Sequence, residues 1–166
     1  MDLLTNRLTI QPATLDDAEF LLCLLNSEGW LKYIGDKNVH TIEEARDYLL
    51  VRLVDFNNPN CGLYIIRLKD GTPIGTNSLL KRDFLDTVDI GYAILTEHGG
   101  KGYTTEATTE FLRYVMEDLG YQQVLAYALT EHHASVRILQ KLGFVVKETF
   151  MDNGKECVLM EIFAHI

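Results

Sequence analysis

The sequence of this 166-residue chain predicts an α/β (α+β) protein with a mixed, mostly antiparallel central sheet of about seven strands flanked by about four helices. Two hairpin signals support the strands: Asp70-Gly71 and Asn153-Gly154 each join apolar runs, and both positions of such dipeptides tolerate a positive φ. Apolar residues at helical spacing between these runs support the helices. A glycine-rich loop at 99–102 separates a strand-like run from a helix-like run.

The first half of the chain is predicted to contain one strand, two helices and a three-stranded meander. Capping-box patterns start the helices at Thr14 and Thr41, and we expect them to end near Ser27 and Phe56. Apolar alternation and β-rich composition predict the strands. These strands are Leu8–Pro12, Leu63–Arg67, Pro73–Leu80 and Thr87–Leu95.

The second half alternates helices and strands. Apolar spacing predicts a helix over 107–119 that Gly120 ends. The continuously apolar run Val124–Leu129 is typical of a strand covered on both faces. A shorter helix over 134–142 ends at Gly143. The last two strands are Phe144–Val146 and Cys157–Met160, joined across Asn153-Gly154.

The composition is that of one globular domain, residues 1–166. It is 47% hydrophobic and 23% charged, with a net charge of −9. That charge argues against a nucleic-acid partner and favours a cationic substrate. The segment Met1–Arg7 has no basic start or small-residue cleavage site, and no apolar run approaches membrane-spanning length. We therefore expect a soluble, cytoplasmic protein without a membrane partner.

Neither the cysteines nor the histidines form a ligand pattern. The three cysteines, Cys23, Cys61 and Cys157, have no short paired spacing and are expected to be small buried residues. The five histidines, His40, His98, His132, His133 and His165, contain no i, i+4 pair. We expect neither a disulfide nor a metal site.

The loop Glu97-His98-Gly99-Gly100-Lys101-Gly102-Tyr103-Thr104-Thr105-Glu106-Ala107 predicts a phosphate site. Glycines allow unusual backbone dihedrals and close approach of an anion to the amides, while the first helical turn offers unpaired N–H donors. The alternative is a tight strand-to-helix turn with no ligand. The loop lacks both Gly-Lys-Ser/Thr and the third glycine of a dinucleotide fingerprint, which excludes those two nucleotide folds.

Two motifs resemble the GNAT superfamily of N-acetyltransferases, whose acetyl-CoA signature is Gln/Arg-x-x-Gly-x-Gly/Ala. Gly102 fits that signature, whereas Gly99 replaces the Gln/Arg and Thr104 the small last residue. The stretches Gly100–Ala107 and Ala134–Phe144 are similar to the branch of ribosomal-protein N-terminal (alanine/serine) acetyltransferases. The resemblance spans most of the chain. It implies a GNAT-like fold and transfer of an acetyl group from acetyl-CoA to a primary amine by direct attack on the thioester.

The resemblance also implies a cofactor site without a metal. Loop amides would hold the CoA pyrophosphate, with donors added by Lys101 and the threonine hydroxyls. The preceding strand would splay from its neighbour, so that its backbone pairs with the pantetheine arm. The implied cofactor residues are Ala93, Ile94, Leu95, Gly99, Gly100, Lys101, Gly102, Tyr103, Thr104, Thr105, His132 and Ser135.

Acetyl transfer requires a base for the amine and a proton donor for the thiolate. Asp89, acting through water, is the candidate base. A salt-bridging role is its alternative, and Glu97 and Glu106 are alternative bases, although Glu106 also suits a helix N-terminus.

The candidate proton donor is Ser135. Many GNAT enzymes carry a tyrosine at the position of Leu139, and the branch that this chain resembles carries a serine at the position of Ser135. The alternative for Ser135 is a helix-start hydroxyl bonded to its own backbone. His132 stands where the family commonly has asparagine, and it is either a cofactor contact or an ordinary loop residue.

Tyr92, Trp30 and Tyr33 are the candidate acceptor-binding residues, although aromatics are as often core residues. The expected partner is an amine acceptor, either a small molecule or a protein N-terminus, and homodimers are common in the family. One alternative function is an acyl-CoA-binding sensor or partner module with little catalysis. Another is an unrelated protein that binds a phosphate ligand through the same loop.

Overall fold

The computed structural model describes residues 2–53, 58 and 60–165, and these build one mixed sheet with helices on both faces. The strands are β1 (Leu3–Leu4), β2 (Leu8–Pro12), β3 (Gly62–Leu68), β4 (Pro73–Leu80), β5 (Asp89–Ile94), β6 (Gln123–Leu129), β7 (Val145–Asp152) and β8 (Lys155–Phe163). Their order is β1-β2-β3-β4-β5-β6-β8-β7, antiparallel throughout except for the parallel pair β5 and β6. This confirms the predicted fold class. The eighth strand, β1, is too short to show alternation in the sequence.

In the described part of the chain, five α-helices cover the sheet. They are α1 (Ala18–Leu25), α2 (Glu28–Tyr33), α3 (Ile42–Leu53), α4 (Tyr103–Arg113) and α5 (His133–Leu142). The capping box at Thr14 is present, but it starts a 3-10 turn over Leu15–Asp17 that leads into α1. The side-chain amide of Asn26 donates to the carbonyls of Leu22 and Val39, at the point where the predicted helix ends.

The sequence prediction missed α2, which packs no fully buried side chain and therefore shows no strong apolar stripe. Thr41 caps α3 through a hydrogen bond from the amide of Glu44 at 3.1 Å. The predicted end of that helix near Phe56 lies outside the described residues. The helix predicted over 107–119 begins earlier, at Tyr103, and continues past Arg113 as a π turn to Asp118.

Both predicted hairpins are present, but the second is longer than expected. Its turn residues Asn153 and Gly154 have φ of 51° and 78°. The flanking strands β7 and β8 extend well past the predicted apolar runs, because backbone pairing continues where β7 is exposed on both faces. Of the cysteines, Cys61 and Cys157 are buried as expected, whereas Cys23 on α1 is exposed, which corrects that prediction.

The two faces of the sheet carry separate cores. One core includes Phe111 of α4 and Leu139 of α5, and the other includes Leu24 of α1 and Leu49 of α3. Strand β5 contributes to both, because successive side chains of a strand point to opposite faces. Ile90, Tyr92 and Ile94 pack against the α4/α5 core, whereas Ala93 packs against the α1/α3 core.

Candidate functional site

A gap between the two parallel strands forms the centre of the site. Strands β5 and β6 share a single register pair, Asp89 with Leu125, and the amide of Leu125 donates to the carbonyl of Val88 at 2.9 Å. Beyond that pair, no further residue pair joins the two strands in the described part of the chain. The expected splay is therefore present, and the β5 backbone at 93–95 borders the gap.

A cleft of about 430 Å³ lies between the glycine loop and α5, and Ile94 at the end of β5 borders it. One wall consists of Ile94, His98, Gly100, Gly102 and the first turn of α4. The other wall is one face of α5, namely Ala134, Arg137, Ile138 and Lys141. Both walls of the cleft suit an anion, because one carries the cations Arg137 and Lys141 and the other carries the N-terminus of α4.

Arg137 and Lys141 were not among the cofactor-binding residues predicted from the sequence. Their i, i+4 spacing within the second motif was the available signal, since it places both on one helix face. The spacing alone does not show that this face of α5 lies opposite the glycine loop, so the two cations could not be assigned to the site from the sequence.

The loop backbone leaves the N-terminus of α4 open. Gly100 and Gly102 have φ of +73° and +81°, a region that side-chain-bearing residues rarely adopt. Gly102 is the N-cap and has no side chain to accept the first amides of the helix. Within the described residues, no hydrogen-bond acceptor meets the amides of Tyr103, Thr104 or Thr105. Three of the expected loop donors therefore remain available to a ligand.

Glu106 fastens this loop to the start of the chain. Its carboxylate accepts hydrogen bonds from the Thr5 hydroxyl at 2.7 Å and from the Arg7 amide and Nε at 2.8 and 2.7 Å. Burial alone would raise the pKa of Glu106, but these hydrogen bonds lower it. Arg7 also donates to the carbonyl of Lys101 at 3.0 Å and lies 4.5 Å from the ring centroid of Tyr103. Glu106 thus links the loop to the start of the chain, and Asp89 and the exposed Glu97 remain the candidate bases.

Asp89 is buried and is the first residue of β5, at the point where β5 pairs with β6. By the alternation of β5, its side chain is on the same face of the sheet as Ala93, and 2% of the residue is exposed. Burial raises the pKa of Asp89, and the ion pair with Arg82, at 2.9 Å, partly offsets that rise. The salt bridge, which was the alternative role for Asp89, is therefore present, and the role of general base stays a prediction with which a raised pKa is compatible.

Tyr92 and Ser135 form a hydroxyl pair on the opposite face of the sheet. The Tyr92 hydroxyl donates to the backbone carbonyl of Ser135 at 2.9 Å and lies 2.8 Å from its Oγ. Burial raises the pKa of Tyr92 to about 12, so the phenol stays protonated at neutral pH. The sequence reading placed Tyr92 beside Asp89 in an acceptor pocket, but the alternation of β5 points the two side chains to opposite faces.

Tyr33 and His132 meet in a ring stack. Their centroids are 3.7 Å apart with an interplanar angle of 5°, which joins α2 to the loop before α5. Burial lowers the pKa of His132, and the positive charge of Lys32 lowers it further. Trp30, on the same helix, packs in the α1/α3 core together with Ala93, and its Nε1 is buried without a partner among the described residues.

Within residues 2–53, 58 and 60–165, no group of three or more histidine, cysteine, aspartate or glutamate side chains could hold a metal ion. No helix described for this chain combines the length and apolar character needed to cross a membrane.

Comparisons with known proteins agree with this geometry. A family model described as an acetyltransferase (GNAT) domain matches residues 7–145. The chain is 27% identical to the uncharacterized N-acetyltransferase YoaA of Bacillus subtilis, over 90% of this chain and 88% of that protein.

Two solved structures show the same fold at low identity. The ribosomal-protein-S5-alanine acetyltransferase of Vibrio fischeri superposes with a TM-score of 0.84 at 17% identity, over 98% of this chain and 96% of that one. The ribosomal L7/L12 α-N-protein acetyltransferase RimL, solved in complex with coenzyme A, gives a TM-score of 0.85 at 14% identity over 98% of both chains.

Proposed function

The chain belongs to the GNAT acetyltransferase family and is an N-acetyltransferase, and from that premise we propose that it transfers the acetyl group of acetyl-CoA to a primary amine by direct attack on the thioester. The observation that carries the proposal is the cleft beside the open N-terminus of α4, which is bordered by Ile94 at the end of β5, past the single residue pair that joins β5 to β6. One end of this cleft suits phosphates, and the other offers backbone edges to an amide-bearing arm.

Acetyl-CoA would bind with its pyrophosphate on the loop. The amides of Tyr103, Thr104 and Thr105 would donate to it, and Arg137 and Lys141 on the opposite wall of the cleft would add positive charge. The pantetheine arm would pair with the β5 backbone at 93–95, as a peptide adds to an open sheet edge. The coenzyme A bound to RimL supports this cofactor by analogy.

Asp89 would act as the general base on the acceptor side. Through a water molecule it takes a proton from the ammonium group, and the neutral amine then attacks the thioester carbonyl. A C–N bond forms, the C–S bond breaks, the electron pair of the C–S bond leaves on sulfur, and the attacking nitrogen loses its second proton to water. Burial of Asp89 assists this role, because its raised pKa makes the carboxylate a better base than an exposed aspartate.

Tyr92 and Ser135 would supply the proton for the departing thiolate. The family tyrosine is replaced by Leu139, which is 1% exposed within the α4/α5 core. The Tyr92 hydroxyl reaches the same helix from β5 and is hydrogen-bonded to Ser135. We assign donation to the sulfur to this hydroxyl pair, with Tyr92 completing a role that the sequence reading gave to Ser135 alone.

The test is calorimetry with acetyl-CoA followed by an assay of CoA release with a panel of primary amines. We expect binding at one site per chain and amine-dependent release of CoA. Failure to bind acetyl-CoA would refute the proposal. Tight binding with no amine acetylated would favour the acyl-CoA-binding module instead, a role that the N-acetyltransferase names of the relatives do not favour.

A further inference from the structure

The turn between β1 and β2 lies against the glycine loop. Thr5 closes this turn, because its amide donates to the carbonyl of Leu8 at 3.0 Å and its hydroxyl accepts the amide of Leu8 at 3.0 Å. Leu8, the first residue of β2, is fully buried in the α4/α5 core. Arg7 is therefore held between a closed turn and a buried residue, and its side chain reaches the start of α4 from a fixed backbone position.

The guanidinium of Arg7 contacts several parts of the loop at once. Its Nε donates to the Glu106 carboxylate at 2.7 Å, and its Nη1 donates to the carbonyl of Lys101 at 3.0 Å. The same group lies 4.5 Å from the ring centroid of Tyr103, and its Nη2 lies 3.4 Å from the position of a Cβ on Gly102. Arg7 thus touches the residues on either side of the N-cap of α4 as well as the N-cap itself.

The bond from Arg7 to Lys101 is the main restraint on the tip of the loop. In the described part of the chain, it is the only hydrogen bond that Gly100 or Lys101 makes. Glycines lose more conformational freedom than other residues when a loop becomes ordered. An anion needs the loop amides and those of the first helical turn to converge, so a restraint from outside the loop lowers the entropy lost on binding.

Glu106 completes the connection on α4. Its carboxylate also accepts hydrogen bonds from the Thr5 hydroxyl and from the backbone amide of Arg7, so both residues of the turn converge on one side chain. The charge of Arg7 is thereby paired within the protein, and Arg7 is not among the residues that line the cleft. Its part is therefore to hold the loop rather than to bind the phosphates itself.

We propose that Arg7 is a positioning residue for the cofactor, which holds the glycine loop in the conformation that receives the pyrophosphate. The inference rests on the proposed function, because it takes the loop as the pyrophosphate site of acetyl-CoA. Without the guanidinium, the loop would occupy this conformation for only part of the time, and the apparent Kd would rise in inverse proportion to that fraction. A fraction of about one tenth would raise the Kd about tenfold.

The first test compares Arg7→Gln with Arg113→Gln by calorimetry of acetyl-CoA and by thermal unfolding of the complete chain. Arg113 is the matched control, because it pairs with the carboxylates of Glu110 and Asp118 near the other end of α4, and its side chain is 37% exposed against 42% for Arg7. We expect similar falls in Tm, and a Kd for acetyl-CoA that rises about tenfold in Arg7→Gln alone. Equal Kd values in the two variants would overturn the inference.

Two further variants separate positioning from charge. Arg7→Lys keeps the positive charge, but one ammonium group does not reproduce the planar fork that bonds Glu106 and Lys101 together. We expect Arg7→Lys to bind acetyl-CoA about as weakly as Arg7→Gln, and full affinity in Arg7→Lys would refute the positioning role. Arg7→Gln combined with Glu106→Gln should weaken binding by less than the product of the two single effects, because the pair acts as one unit. Independent effects would contradict that coupling.

A ligand without a pyrophosphate distinguishes positioning of the loop from a general loss of structure. S-acetylpantetheine carries the thioester and the amide-bearing arm but no phosphate, and its Kd is measured from NMR chemical shifts. Arg7→Gln should bind S-acetylpantetheine as the native chain does. An equal weakening of S-acetylpantetheine and acetyl-CoA would overturn the inference.

The same calorimetry separates this inference from the proposed function. Failure of the native chain to bind acetyl-CoA would refute the proposed function and this inference with it. Binding by the native chain that is unchanged in Arg7→Gln would refute only the role of Arg7 and would leave the proposed function standing.

Discussion

Replacing Gly102 with alanine tests the loop, because the chain offers a matched control at Gly120. Both glycines lie in the left-handed region, with φ of +81° and +80°. An added Cβ at Gly102 would lie 3.4 Å from Nη2 of Arg7, an ordinary contact, and one at Gly120 would meet nothing within 4 Å. Backbone strain is therefore the shared consequence, about 1–2 kcal/mol at each position.

The two substitutions should have equal effects on stability and unequal effects on binding. Each should lower Tm by roughly 2–8 °C, since about 1 kcal/mol corresponds to roughly 2–4 °C in a protein of this size. Only Gly102→Ala should weaken acetyl-CoA, by about tenfold or more, because its methyl group crowds amides that each contribute about 1.5–3 kcal/mol to a bound anion. Gly102→Asp adds a negative charge and should remove binding altogether.

The assay pairs calorimetry of acetyl-CoA binding with thermal unfolding of each variant. If Gly102→Ala bound acetyl-CoA as tightly as Gly120→Ala, the loop would not be the pyrophosphate site. If both variants lost affinity equally, the loss would come from general destabilisation, and the reasoning from Gly102 would fail.

Three further predictions concern single side chains of the site. Asp89→Asn should lower kcat by about 10²-fold or more with the Kd of acetyl-CoA unchanged. The native enzyme should lose activity as the pH falls through the raised pKa of Asp89, and the variant should not show this loss. Unaltered kcat would exclude Asp89 as the base. Tyr92→Phe and Ser135→Ala should each lower kcat, and the double variant should lose less than the product of the two, because the hydroxyls act as one unit; independent effects in a double-mutant cycle would contradict the pair. Glu106→Gln should lower Tm by roughly 2–4 °C at pH 7, as for about 1 kcal/mol. The folded-state pKa of Glu106 is lowered, so the difference in Tm should have its full size above the unfolded pKa of 4.5 and should shrink as the pH falls through the folded-state pKa. A difference in Tm that persists at low pH would contradict the role of Glu106 as an anchor.

The sequence predicted the parts of the fold that local chemistry determines. The hairpin turn at Asn153-Gly154 follows from residues that adopt positive φ, and the capping box at Thr14 follows from side-chain oxygens that accept helix amides. The strand β1 was missed because two residues are too few to show alternation, and the helix α2 was missed because it is held by contacts with distant segments, such as the stack of Tyr33 on His132, rather than by a local pattern.

The candidate site followed the same division. The glycine loop could be located because its backbone adopts positive φ at Gly100 and Gly102, and glycine is the residue that adopts such φ values most readily. The partnership of Tyr92 with Ser135 could not, because it joins residues 43 positions apart through packing of α5 on β5. The contact of Arg82 with Asp89 spans only 7 positions, yet it depends on how the loop after β4 folds back.

Initial rates of CoA release, measured with the purified chain over a grid of acetyl-CoA and amine concentrations, decide whether the acetyl group passes from acetyl-CoA directly to the amine. The acetylated amine is quantified by mass spectrometry. We predict intersecting double-reciprocal lines, one acetylated amine for each CoA released, and no acetylated protein when the amine is omitted. Parallel lines with acetyl-enzyme accumulating in the absence of amine would contradict the account.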